Sequence, residues 1–394
     1  MRAYFDHNST TPVDAEVLAA MLPHLSREFG NASSIHGEGQ RARMAIEDAR
    51  EAVASLIGAQ PAEIVFTSGG TEADNLAIFG AIAAARRHIG SASTHVITSS
   101  IEHPAVLQAC EELQRRGTDV TYVEVSSDGL VDPDDVRRAI RPTSALVSIM
   151  HANNEVGTIQ PIAEIARVAA EAGVYFHTDA VQSVGKVAVD VNEMGVDLLS
   201  LSAHKIYGPK GTGALYVSAG TPLEHIQFGG HHERDRRPGT ENVPGIAGLG
   251  KAAELVAKRQ SNDTPRVKAL RDRFEEDMMA RVPNCRINGA RERRVPNTSN
   301  MIFPYAEGES LCIALDLAGI ACSTGAACSS GAVEPSHALT AMGLSAEEAR
   351  SCLRFSFGRG TTEAEIDFAL KVIPAAVERL RQLSPLYPGA TVGA

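Results

Sequence analysis

The segment Glu63–Arg87, EIVFTSGGTEADNLAIFGAIAAARR, changes its hydrophobic period partway along. EIVFTS (Glu63–Ser68) is a short apolar run rich in β-branched and aromatic residues, and it reads as a strand. EADNLAIFGAIAAARR (Glu72–Arg87) spaces its apolar residues along one face of a helix. The pairing recurs in HVITSS and PAVLQACEELQRRG over His95–Gly117, then in ALVSIM (Ala145–Met150) and IAEIARVAAEAG (Ile162–Gly173). VYFHTD (Val174–Asp179), DLLSLS (Asp197–Ser202) and GALYVS (Gly213–Ser218) add further strands. Strands alternating with helices predict an α/β fold with a mostly parallel sheet covered on both faces. Ligands of such sheets bind beyond the carboxyl ends of the strands.

After about Gly250 the pattern changes. A polar helical stretch, PRVKALRDRFEEDMMARV (Pro265–Val282), precedes a strand in NTSNMIFP, a helix in ESLCIALDLAG, a strand in LRFSFG (Leu353–Gly358) and a closing helix over Ala364–Leu383. This predicts a large domain over 15–255 and a smaller α+β domain over 1–14 and 256–394. The latter carries a Gly/Ala/Ser loop at about 321–333.

The chain has 394 residues, 44% of them hydrophobic, enough for about two domains with a substantial core. A net charge of −11 without a basic block argues against nucleic acid and anionic membrane surfaces. No apolar run approaches the roughly 18 residues of a membrane span. MRAYFDHNSTTP lacks the apolar centre of a signal peptide, so a cytoplasmic location is expected. The six cysteines (Cys110, Cys285, Cys312, Cys322, Cys328 and Cys352) are then expected to be free thiols, and Cys322 and Cys328 lack a zinc spacing. Both lie in ACSTGAACSSGAVEPSH (Ala321–His337), a composition where buried structural cysteines are rare. An inert residue and a nucleophile remain the two readings.

Three clusters follow strand ends. In TSGGTEADN (Thr67–Asn75), two glycines allow close backbone approach, and Thr71 opens a helix whose free N–H groups favour an anion such as phosphate. In FHTDAVQ, Asp179 ends an apolar strand, where it reads as a turn cap or as a carboxylate needing a cationic partner. In LSAHKIYGPKG, Lys205 stands beside an apolar strand end, where desolvation can make it an amine nucleophile, and Ser202 and His204 add phosphate donors. A phosphate cradle, an acid for a ring nitrogen and a Schiff-base lysine are together the requirements of pyridoxal 5′-phosphate (PLP). His103, in SSIEHPAV, is the candidate to stack on the ring. Asn154 and Gln182 are candidates to bond its substituents.

These motifs, with YFDHNSTTP, HANNEVGTIQPI, GGHHERDRRPGTEN and RFSFGRGTTEAEID, resemble cysteine desulfurases of the NifS/IscS type, within the class V aminotransferases. The resemblance runs over nearly the whole chain. It implies a PLP-dependent fold type I homodimer converting L-cysteine to L-alanine, with the sulfur left as a persulfide on Cys328. Lys205 is the implied Schiff-base lysine, with His103 on the ring and acting as acid/base, Asp179 at its nitrogen, Gln182 at its hydroxyl and Asn154 beside cofactor and substrate. Gly70, Thr71, Ser202 and His204, with Thr240 from the partner subunit, are implied at the phosphate, and Arg354 at the substrate carboxylate. The sulfur would go to a NifU/IscU-like scaffold for iron–sulfur cluster assembly, with a metal cluster only transiently shared through Cys328. The segments STGAACSSGAVEPSH and RRPGTEN lean toward the nitrogen-fixation branch. Ser9 stands where many members have Ala, and Asp235 and Pro238 also depart from the family pattern. Cys322 is outside the signature and is taken as a bystander. The rival readings are a selenocysteine lyase or another PLP enzyme on this scaffold, and a non-enzymatic sulfur or iron carrier.

Overall fold

The computed structural model describes residues 1–89, 94–324, 335–385 and 387–388. Its strands, in chain order, are β1 (Ala3–Tyr4), β2 (Ile64–Thr67), β3 (His95–Ser99), β4 (Asp119–Val123), β5 (Ser144–Ser148), β6 (Tyr175–Asp179), β7 (Leu198–Ser202), β8 (Gly213–Val217), β9 (Arg286–Asn288), β10 (Thr298–Ile302), β11 (Ile320–Ala321) and β12 (Cys352–Ser356). The helices are α1 (Ala15–Ser26), α2 (Gly37–Leu56), α3 (Gly70–Ile89), α4 (Pro104–Arg115), α5 (Pro133–Ala139), α6 (Ile162–Glu171), α7 (Val191–Met194), α8 (Val243–Arg281), α9 (Gly308–Leu317), α10 (His337–Ala341), α11 (Ala346–Arg350) and α12 (Glu363–Leu383).

Seven strands form the large sheet in the order β2-β8-β7-β6-β5-β3-β4. The neighbours from β7 to β4 pair in parallel, and β8 is antiparallel to both β7 and β2. The 203–212 connection between β7 and β8 is too short for a crossover helix, so the chain turns back on itself. Side chains alternate between the two faces as the pleat requires. Ile64 and Phe66 of β2 and Leu199 of β7 enter a core with α2, α6 and the first part of α8, whereas Val65 and Leu198 pack with α3 and α4 on the opposite face.

A second core lies around the three-stranded antiparallel sheet β12-β10-β9 and uses α9, α12 and the end of α8. Phe274 is fully buried here, with ring centroids 5.0 and 5.3 Å from Phe355 and Phe357. The parallel pair β1–β11 packs on its flank.

One element differs from the sequence expectation. The helix expected from Pro265 is the second half of a continuous 39-residue α8 that begins at Val243. Gly248 and Gly250, which interrupt the pattern, are contact points rather than breaks. An added Cβ would stand 2.8 Å from Met21 on α1 and 2.5 Å from Ala49 on α2, respectively. The expected boundary between residues 255 and 256 falls inside this helix. No helix among the described residues is long and apolar enough to cross a membrane.

Candidate active site

The carboxyl ends of β2, β3, β5, β6 and β7 surround a cleft of about 330 Å³. It is lined by Gly70, Thr71, His103, Asn154, Asp179, Gln182, Ser202, His204, Lys205 and Arg354, with Asn8 and Asp74. Ten of the candidate residues therefore meet in one place. Thr240 is exposed and is not part of this chain's cleft, and Cys328 lies outside the described residues.

Lys205 ends a short 3-10 turn after β7, and its Nζ donates to the carbonyl oxygens of Asn8 (2.5 Å) and Ser9 (2.8 Å). Asn8 is the hub of the cleft floor. Its carbonyl also accepts from Gln182 Nε2 (2.9 Å), and its Oδ1 accepts from Lys186 Nζ (3.1 Å) and Asn297 Nδ2 (2.9 Å). Its Nδ2 donates to the Asn154 carbonyl (3.1 Å) and to Thr298 Oγ1 (2.8 Å).

At one end of the cleft α3 begins at Gly70, with Thr71 in its first turn and Ser202 and His204 alongside. The helix dipole and unpaired first-turn N–H groups favour an anion there. Gly70 lets this helix start pack closely on the wall of the cleft, because a Cβ on it would lie 2.7 Å from Val181 Cγ2. His204 Nδ1 bonds with Thr10 Oγ1 (3.1 Å), and burial, then nearby lysines, lower its pKa to about 4.

Deeper in, Asp179 is both a cap and a wall of the cleft, since its Oδ1 accepts from Val181 N (2.8 Å). Burial raises its pKa to about 6. Asp74 of α3 is also buried, and burial followed by the charge of Asp179 pushes it well above the usual carboxylate range. Asp74 Oδ1 finds no hydrogen-bond partner among the described residues and stands 3.6 Å from His177 Nε2. His177 is held between Ser148 Oγ (2.8 Å) and Ser200 Oγ (3.0 Å), and burial takes its pKa to about 3, so it brings no compensating charge at neutral pH. Two buried carboxyls with an orphaned oxygen fit a protonated ring nitrogen.

His103 caps α4, its Nδ1 accepting from Ala105 N (3.1 Å), which leaves the ring proton on Nε2. Burial, then Lys205 and His337, lower its pKa to about 4, so the imidazole is neutral near pH 7. Arg354 of β12 reaches in from the second core. It donates to the Asn154 carbonyl (3.0 Å), Asp6 Oδ1 (2.9 Å) and Ser9 Oγ (2.7 Å). The departure at Ser9 therefore contributes a hydroxyl that ties Arg354 to Asp6, to which it donates in turn (2.9 Å). Buried Nε of Arg354 has no partner among the described residues, so the guanidinium keeps donors for a carboxylate.

The family model for aminotransferase class-V matches residues 3–368, most of the chain. The chain belongs to the class V aminotransferases. It is 48% identical over 382 residues to a protein named cysteine desulfurase IscS of Dictyoglomus turgidum, covering 97% of this chain and 96% of the relative. It is 50% identical over 385 residues to the protein of that name from Methanosarcina thermophila, covering 98% and 94%. A solved structure described as a NifS-like protein superposes with a TM-score of 0.89 at 36% identity over 96% of this chain and all of that one. A second, described as SspA in complex with cysteine, gives 0.79 at 39% identity over 91% and 100%.

Class V aminotransferases depend on PLP. The anion cradle at α3, the orphaned carboxyl oxygen of Asp74 beside Asp179 and the amine of Lys205 within one cleft fit that group. Of the residues that shape the cleft, Asp74, Asn8 and Lys186 were not singled out from the sequence. Asp74 sits in the quoted TEADN stretch one helical turn after Gly70, which is the signal that could have found it.

Proposed function

We propose that this class V aminotransferase is a cysteine desulfurase that uses PLP to convert L-cysteine to L-alanine and leaves the sulfur as a persulfide on Cys328. The observation carrying the reading is the meeting of Lys205, Asp179, His103 and the α3 anion cradle in one cleft, faced by the unspent donors of Arg354.

Gly70, Thr71, Ser202 and His204 would hold the phosphate, with Thr240 of the partner subunit. Asp179, supported by Asp74, would hold the pyridine nitrogen protonated, and Gln182 would donate to the ring hydroxyl. When bound, PLP supplies an aldehyde for amine exchange and an electron sink for the charge left at the substrate α-carbon. The residues do the rest. Lys205 would hold the group through its amine at the floor of the cleft, where a substrate amine can compete for the same place. Arg354 and Asn154 orient the substrate carboxylate. Neutral His103 keeps one ring nitrogen for the α4 cap and the other, Nε2, for proton transfer in the cleft. In the sulfur step the Cys328 thiolate takes the substrate sulfur, the substrate Cβ–S bond breaks, and protonation completes alanine. Cysteine plus enzyme thiol gives alanine plus enzyme persulfide, with no external oxidant.

We extend the reading to a cytoplasmic homodimer that passes sulfur to a NifU/IscU-like scaffold for iron–sulfur cluster assembly, nitrogenase being one destination. The two cores support the division near residue 255 into a large and a small domain. The test is an assay for alanine formed from L-cysteine, with mass spectrometry of the resting product. Wild type should give alanine and a peptide containing Cys328 heavier by one sulfur, and Cys328→Ala should give neither. Full activity in that variant would overturn the reading, as would a protein that spares cysteine while cleaving selenocysteine.

A further inference from the structure

Lys186 touches neither the anion cradle nor the acid pair, yet it sits directly behind the cleft. Its Nζ donates to Gln182 Oε1 (2.5 Å) and to Asn8 Oδ1 (3.1 Å). No carboxylate pairs with it among the described residues. Burial, then the charges of Lys205 and Arg354, push it well below the usual lysine range. A buried amine without a counter-charge is costly to keep, and an apolar side chain of similar length would fill the space without that cost.

The hydrogen bonds indicate what the amine does. Gln182 Nε2 donates to the Asn8 carbonyl (2.9 Å), the same oxygen that accepts Lys205 Nζ (2.5 Å). A primary amide has two orientations of nearly equal shape. Reversing Gln182 would set its oxygen against the Asn8 carbonyl and its NH₂ against the Lys186 donor. The bond to Asn8 would become an oxygen–oxygen repulsion in either state of Lys186, and the bond to a charged Lys186 would become a contact between two donors. Charged or neutral, Lys186 has enough N–H groups to serve both its acceptors. One Nε2 proton of Gln182 goes to Asn8, and the other remains for the cleft that Gln182 lines.

We propose that Lys186 is a positioning residue that locks the Gln182 amide, through Oε1, so that an Nε2 proton is presented to a cofactor hydroxyl in the cleft. The inference rests on the PLP reading above. It assigns to Lys186 no contact with cofactor or substrate, only control of a neighbour that has one.

A double-mutant cycle tests it on the full-length protein, stripped of cofactor and titrated with PLP, with affinity and the visible absorbance band as readouts. Lys186→Met and Gln182→Leu should each weaken PLP binding about fivefold, the loss of roughly one hydrogen bond, and displace the band. The double variant should be no weaker than Gln182→Leu alone, because the lysine acts through the amide. Lys186→Arg, which keeps two donors, should bind as wild type. Multiplying effects in the double variant, or wild-type affinity in Lys186→Met, would overturn the proposal. Should Lys186→Met not fold, the Arg and Leu variants still decide, since Lys186→Arg must retain and Gln182→Leu must lose affinity. A wild-type protein that takes up no PLP would instead remove the functional reading beneath it.

Discussion

Glu102 shows how far burial alone can move a side chain. It accepts from Ser99 Oγ (2.5 Å) and from Met150 N (3.0 and 3.1 Å) immediately before His103, and burial lifts its pKa from 4.5 to about 8. The folded protein therefore keeps a proton that the unfolded chain gives up. That stabilisation is complete below about pH 4.5 and is lost as pH rises through about 8. Glu102→Gln should flatten this loss. Unfolding free energies of wild type from urea titrations should fall across that window, by at most about 1.4 kcal/mol per pH unit for one proton, while those of the variant hold steadier. At this scale the sequence was legible where a residue type announces its chemistry. Asp179 ends an apolar strand, Lys205 and His103 each stand just past one, and all three reach the cleft. Asn8 was not legible, because the atom that meets Lys205 and Gln182 is its main-chain carbonyl, which every residue carries. Lys186 was not legible because a lysine gives no hint that its amine points inward.

At the scale of elements, periodicity identified the strands and helices around the cleft, and the short 203–212 connection explains the one strand that runs against the others. The continuity of α8 was hidden because the reason for its glycines lies in α1 and α2, elsewhere in the chain. The start of α3 gives a direct test. Gly70→Val should push against Val181 and narrow the anion cradle. PLP affinity should fall more than tenfold, a loss of more than about 1.4 kcal/mol, while the apoprotein's melting temperature changes little by comparison. In the second core, Phe274→Ala should remove a fully buried ring shared by Phe5, Phe355 and Phe357. The expected cost is about 3–5 kcal/mol in chemical denaturation.

Across the whole molecule, large apolar side chains remain on the surface of this chain, Phe29, Ile35 and Phe228 being 74%, 93% and 88% exposed. Such surface favours the proposed homodimer. Light scattering should return twice the 41.7 kDa chain mass, and Ile35→Asp with Phe228→Asp should shift it toward one chain and weaken PLP binding by removing the phosphate contact proposed for Thr240 of the partner subunit. The segment bearing Thr240 is held from within. Glu233, Arg234 and Asp235 take three consecutive left-handed conformations, and Glu233 is pinned by Arg50 (2.7 and 2.9 Å) and by Phe66 N (2.8 Å). The 39-residue helix acts on the same scale. It is a splint driven through two bodies, with Leu255 and Val256 seated in one and Val267 and Leu270 in the other. Neither body can melt while its neighbour stays frozen, so calorimetry should record a single peak. Cutting the gene midway along that rod would leave each product with a ragged greasy seam, and the halves would fold only when made together.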